Sequence, residues 1–213
     1  MAQVKICGLS EPVTLKAALD AGADMVGLVF FAKSPRNVNI EQAAALAKMA
    51  KGKTAVVALV VDADDKLLEL ITKRVRPDYF QAHGNETPAR VSEIAKLTGG
   101  KVIKAIAVRE ASDVAKAQNY RSKADLVLFD AKAPETLKDA LPGGNGISFD
   151  WTLLKGIEDR FMLSGGLSPE NVAEAIAMTG APIVDVSSGV ESAPGIKDVL
   201  LIAKFIEQAK RTG

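Results

Sequence analysis

Short, β-branched apolar runs alternate with longer amphipathic segments from one end of the chain to the other. The runs fall at 3–7, 25–31, 54–61, 79–82, 101–107, 126–129, 161–163 and 183–186. After each comes a stretch with helical character, at 12–21, 40–50, 64–74, 88–97, 110–119, 151–155, 169–178 and 198–210. Runs such as MVGLVFF and AVVALVV show no polar alternation, as expected for strands buried on both faces of a parallel sheet. They are also too short to span a bilayer. Eight strand–helix pairs with no shift in composition predict one α/β domain over 1–213, a (β/α)₈ barrel. The alternative is an open doubly wound sheet, which more often has about five or six strands and a GxGxxG-type first turn. Here that turn reads CGLSEP.

Composition adds mainly exclusions. Apolar residues make up 48% and charged residues 25% of the chain, and 27 basic against 26 acidic side chains leave a formal net charge of +1. A nucleic-acid partner would leave a basic excess or stripe, and neither is present. The opening MAQVKICGLSEP has no basic region followed by an apolar run, so no secretory signal is expected. A single cysteine fits a reducing cytoplasm.

In a barrel the chemistry belongs to the loops after the strands. Two glycine-bearing turns follow the last two strands, SGGLSPENV (164–172) and VSSGVE (186–191). Gly165 and Gly166 let backbone approach a ligand closely, Ser168 is placed to N-cap a helix with Pro169 at its first position, and Ser187, Ser188 and Gly189 supply small donors. Either turn alone reads as a tight turn; the two together point to a phosphate held by backbone donors and a helix dipole. Cys7 ends the first strand, just before Gly8. It is core filling, or a thiol at the mouth whose thiolate serves as base or nucleophile once a cation or amide donors lower its pKa. No cation is evident beside it in the sequence.

Asp130 follows four apolar residues at the end of the sixth strand, where an unpartnered carboxylate is costly. At the level of Cys7 and across the barrel, it suggests an acid–base pair suited to isomerisation. Asp125, at the entry of the same strand, has an ordinary capping role. Arg36 is either a solvated loop charge or a fork for a substrate carboxylate. His83, the only histidine, is a ready acid–base, although Gln81 and His83 can equally be lining for the mouth. Asp185 reads as an orienting acceptor. The VDADD run (61–65) lacks spaced partner ligands and is better explained by a helix N-terminus than by a metal. The 129–150 connection is the longest, and such loops are usually functional.

With these residues placed, the chain resembles the phosphoribosylanthranilate isomerases of tryptophan biosynthesis. The likeness runs through KICGLS (5–10), ADMVGLVFFAKSPRNV (23–38), QAHGNE (81–86), LFDA (128–131), GGNGISFDW (143–151), LSGGLSPENV (163–172) and VDVSSGVESAPGIKD (184–198). Departures from the family pattern are Asn145 for the threonine of GGTG, Ala82 for the leucine of QLHG, and VALVVD in strand three. The resemblance implies a cofactor-free Amadori rearrangement of N-(5-phosphoribosyl)anthranilate. Asp130 would be the general acid, Cys7 the general base and Arg36 the carboxylate ligand, and 165–166 with 187–189 would hold the phosphate. It implies a cytoplasmic monomer or homodimer acting on a small molecule. In some organisms this domain is fused to the next enzyme of the pathway, for which 213 residues leave no room. The competing functions are the histidine-pathway isomerase, which would want an aspartate at Cys7 and a second phosphate loop, and a silent phosphometabolite binder, which would not need the proton pair.

Overall fold

The structure is a computed structural model and describes residues 1–133 and 141–211. Eight parallel strands close in chain order into one barrel. They are β1 (Gln3–Cys7), β2 (Met25–Phe30), β3 (Ala55–Val60), β4 (Tyr79–Ala82), β5 (Lys101–Val108), β6 (Leu126–Ala131), β7 (Phe161–Leu163) and β8 (Ile183–Val186). β8 pairs back onto β1 with Asp185 opposite Lys5, so the sheet has no edge. Outside it lie α1 (Pro12–Asp20), α2 (Ile40–Ala50), α3 (Asp65–Arg74), α4 (Pro88–Thr98), α5 (Ala111–Ala115), α6 (Val172–Thr179) and α7 (Val199–Arg211). A small hairpin, β9 (Glu191–Ala193) with β10 (Ile196–Lys197), separates β8 from α7. Among the described residues no helix is long and apolar enough to cross a membrane.

Parity along each strand divides the core in two. One set of side chains packs against the helices, where Leu46, Leu68, Ile71, Ile94 and Phe205 are essentially fully buried. Each contributes about 1.5–3 kcal/mol over leaving it exposed. The other set fills the barrel interior with Met25, Val57, Ile103, Leu126, Leu128, Met162 and Ile183. The expected helix at 110–119 is shorter: α5 ends at Ala115 and a 3₁₀ turn (Lys116–Tyr120) follows. Asp113 is the only buried side chain of α5 and the turn has none, so no apolar face sustains a longer helix. The expected helix at 151–155 is one 3₁₀ turn, Trp151–Leu154, capped by Asp150. Of the long 129–150 connection, residues 134–140 lie outside the described residues.

At the entry end, Asp24, Asp78 and Asp125 precede β2, β4 and β6. Each accepts from a backbone N–H of the preceding strand, those of Val4, Val56 and Val102, at 2.9, 2.7 and 2.8 Å. The ordinary role read for Asp125 is thus a strand-to-strand clasp. In VDADD, Asp64 caps α3 by accepting from Leu67 N–H, as the helix-terminus reading requires.

Candidate active site

The same parity builds the site. Pairing of Lys5 with Met25 and of Cys7 with Gly27 puts both β1 side chains on the interior face. Two-residue steps likewise carry Gln81 to His83, Leu128 to Asp130, and Asp185 to Ser187 at the carboxyl ends of β4, β6 and β8. The interior changes upward from apolar packing to a buried polar layer and then to a cleft open at the mouth. Cys7, Arg36, His83, Asp130 and Asp185 all line it, as do Gly165, Gly166, Ser187 and Ser188. Among the described residues no group of three or more His, Cys, Asp or Glu is arranged to hold a metal.

Cys7 is buried, and Gly27 opposite it leaves its sulfur room: a Cβ there would sit 2.8 Å from Sγ. Burial pushes the thiol pKa up; Lys5 and Lys197 pull against it with positive charge, and Lys5 also by hydrogen bonding, while the Asp185 carboxylate adds to the rise. The net direction is upward, contrary to the lowered thiol pKa that a base at this position calls for. The cation missing from the sequence reading is therefore Lys5, fully buried and bound to Asp185 Oδ1 at 2.8 Å. Burial works to lower its pKa, but Asp185 and Cys7 outweigh that and keep it an ammonium. A lysine two residues before the thiol, inside the apolar run QVKIC, was the available signal: i and i+2 share a strand face. Asp185 accepts from Lys5 through Oδ1, with Ser164 Oγ 3.5 Å from its other oxygen.

Arg36 is not the solvated loop charge that was one expectation. It is 5% exposed, forked onto Glu191 through Nε at 2.7 Å and NH2 at 2.8 Å, with NH2 also donating to Gly144 O at 3.2 Å. NH1 faces the backbone of Gly144, where a Cβ would come within 2.7 Å. Glu191 also binds buried Lys197, which donates to Ser187 O as well. Burial disfavours the Glu191 carboxylate, but the two cations hold its pKa below the ordinary value. Burial outweighs Glu191 at Lys197 and lowers its pKa. Glu191 and Lys197 went unread because the hairpin that carries them has no strand or helix periodicity.

Asp130 is 5% exposed; Oδ1 accepts from Ala131 N–H at 2.9 Å, and Oδ2 lies 3.2 Å from His83 Nε2. His83 thus touches Asp130 directly. Backbone lies over the pair: a Cβ on Gly143 would fall 2.5 Å from His83 Nε2 and 2.6 Å from Asp130 Oδ2.

After β7, Gly165 and Gly166 take φ of 87° and 68°, a left-handed pair that other residues adopt only under strain. Ser168 Oγ accepts from Glu170 N–H at 3.2 Å, as a cap does, but regular helix does not start at Pro169. Asn171 accepts from Ser168 N–H at 2.8 Å and donates to Gly166 O at 2.9 Å, closing a turn that delays α6 to Val172. Gly189 lies behind the cleft wall, where a Cβ would collide with Leu167 O at 1.9 Å; its role is close packing of the two turns.

A closed barrel with a buried thiol, a buried carboxyl and paired glycine–serine turns at one mouth defines a class: a (β/α)₈-barrel enzyme acting on a small anionic substrate. Comparison narrows the class. Residues 4–208 match the model of the N-(5'phosphoribosyl)anthranilate (PRA) isomerase family, and the chain belongs to that family. It is 52% identical over 211 residues to N-(5'-phosphoribosyl)anthranilate isomerase of Parvibaculum lavamentivorans, covering 98% of each chain. The Rhodopseudomonas palustris enzyme is 54% identical, with 98% of this chain and 96% of that one covered. The crystal structure of phosphoribosyl anthranilate isomerase from Thermotoga maritima superposes with a TM-score of 0.88 at 35% identity, over 99% of this chain and 100% of that one. A structure of such an isomerase with reduced 1-(o-carboxyphenylamino)-1-deoxyribulose 5-phosphate gives 0.85 at 33% identity, with the same coverage.

Proposed function

We propose that this chain is an aldose–ketose isomerase that converts N-(5-phosphoribosyl)anthranilate to 1-(2-carboxyphenylamino)-1-deoxyribulose 5-phosphate, in the cytoplasmic synthesis of tryptophan. The observation that carries the assignment of roles is that Cys7 and Asp130, three strands apart around the barrel, line one cleft. Asp130 gives its proton to the furanose ring oxygen as the C–O bond breaks, with the electron pair on the anthranilate nitrogen forming the Schiff base. Cys7, as thiolate, then removes the C2′ proton, and the enolamine tautomerises to the ketone. Each transfer contributes roughly 10²–10⁴-fold. Lys5 favours the thiolate, because its charge and hydrogen bond pull against the desolvation that pushes the thiol up, without reversing the net rise.

The turns after β7 and β8 receive the phosphate, and this remote dianion fixes the sugar between base and acid. Arg36 keeps NH1 for the anthranilate carboxylate while Glu191 holds the other edge of the guanidinium. The test is loss of phosphoribosylanthranilate fluorescence with purified protein. Turnover that needs no added metal or cofactor is expected; inactivity there, with turnover of the histidine-pathway substrate, would overturn the assignment.

A further inference from the structure

On the reading of Asp130 as the acid, we propose that Gln81 is a positioning residue for it: the Gln81 amide holds the proton of His83 on Nε2 and so aims a fixed N–H at the Asp130 carboxyl. Gln81 is fully buried, its Nε2 is 2.7 Å from His83 Nδ1, and His83 Nε2 is 3.2 Å from Asp130 Oδ2. An amide N–H pointing at Nδ1 needs a lone pair there, so the ring proton must sit on Nε2. Gln81 Oε1 has no hydrogen-bond partner among the described residues. Turning the amide over would place Oε1 on Nδ1 and leave the whole NH₂ group without a partner.

This has a consequence for proton flow. A histidine with Nε2–H already formed and Nδ1 occupied by a donor has no site for a second proton. It therefore cannot drain the proton of Asp130, which leaves the substrate ring oxygen as the acceptor. Once that proton has gone, His83 Nε2–H and Ala131 N–H remain on the two oxygens and stabilise the carboxylate. Other charged groups around the pair are already engaged. Arg36 is bound by Glu191, Asp185 by Lys5, and Asp62 accepts from Asn85 N–H, while Lys132 is exposed on the loop beyond β6. The Gly143 backbone covers the pair.

Because His83 is the only histidine, its ring nitrogens can be read without assignment ambiguity by nitrogen NMR of labelled protein. The expected spectrum at neutral pH shows protonated Nε2 and bare Nδ1. A ring protonated on Nδ1, alone or together with Nε2, at neutral pH overturns the proposal before any variant is made. Gln81→Glu must accept from Nδ1–H, so it should convert His83 to imidazolium and lower kcat at least about tenfold, with KM within about two-fold. Gln81→Met, which neither donates nor accepts, should give mixed tautomers and a smaller fall in kcat. Its basic limb should move to higher pH, since Asp130 loses a fixed donor to its carboxylate. Should Gln81→Glu fail to fold, the wild-type spectrum and the Met variant still decide. Changed tautomers with kcat within two-fold would sink the proposal. The expected spectrum in a protein that does not turn over phosphoribosylanthranilate would instead sink the functional reading.

Discussion

Asp125 and Asp130 stand at the two ends of one strand, β6, the first exposed and the second buried. At the entry end Asp125 accepts from the Val102 N–H, as Asp24 and Asp78 do for their neighbours, and all three clasp adjacent strands. At the exit end Asp130 has one backbone donor, one imidazole and an open cleft. A carboxylate tied to main chain holds the barrel together. One held by side chains beside a cleft is placed to exchange a proton. The same contrast divides the lysines of the sequence: Lys5 is spent on Asp185 and the thiol inside the barrel, whereas Lys16 pairs with Asp20 in solvent.

The contrast can be broken most sharply at the exit end. Cys7→Ser and Asp130→Asn should each lower kcat by roughly 10²–10⁴-fold, with product-analogue affinity within a few-fold by calorimetry. Near-full activity in either would show that exit-end burial does not mark proton transfer. Lys5→Met comes next, because it leaves Asp185 charged, buried and unpaired. A loss of about 3–5 kcal/mol in denaturant unfolding is expected. Cys7, already pushed up by burial, should rise further, so alkylation at fixed pH slows and the activity profile moves alkaline. Asp125→Ala should behave oppositely. It removes the Val102 N–H's partner at a cost of about 0.5–1.5 kcal/mol, while kcat and KM per folded molecule stay within two-fold.

The smallest effect belongs to Asp113, an acid at the mouth end that is assigned no proton. Lys116 and the N–H groups of Arg109 and Glu110 lower its pKa from 3.8 to about 2. A depressed carboxylate adds stability above its ordinary value and loses it as pH falls through the folded one. Asp113→Asn should therefore flatten the acid limb of stability between those values and leave turnover unchanged.

Much of this was legible along the chain. Unbroken apolar runs marked strands buried on both faces, and eight strand–helix pairs implied closure. Cys7, Asp130 and the two glycine turns stood out because each sits immediately after a strand. Arg36 was legible as a residue but not as a geometry: its partner, Glu191, is 155 positions away. Ser168 shows the limit of local rules: its side chain accepts from Glu170 N–H as a cap should, yet the Asn171 side chain closes a turn on Ser168 N–H and Gly166 O, and regular helix waits until Val172.

The sequence by itself determined which residues face inward, because strand parity is local: Lys5 with Cys7 and Gln81 with His83 follow from a period of two. What only the tertiary structure decided is which inward residues meet. Closure of the barrel, β8 against β1, sets Asp185 beside Lys5 and makes the buried ammonium tolerable next to a thiol. The β4 and β6 ends converge at the mouth, bringing two polar residues from distant segments, His83 and Asp130, within hydrogen-bond distance. Buried charges are stable only in pairs, and these pairs are formed by chain closure between segments far apart in the sequence.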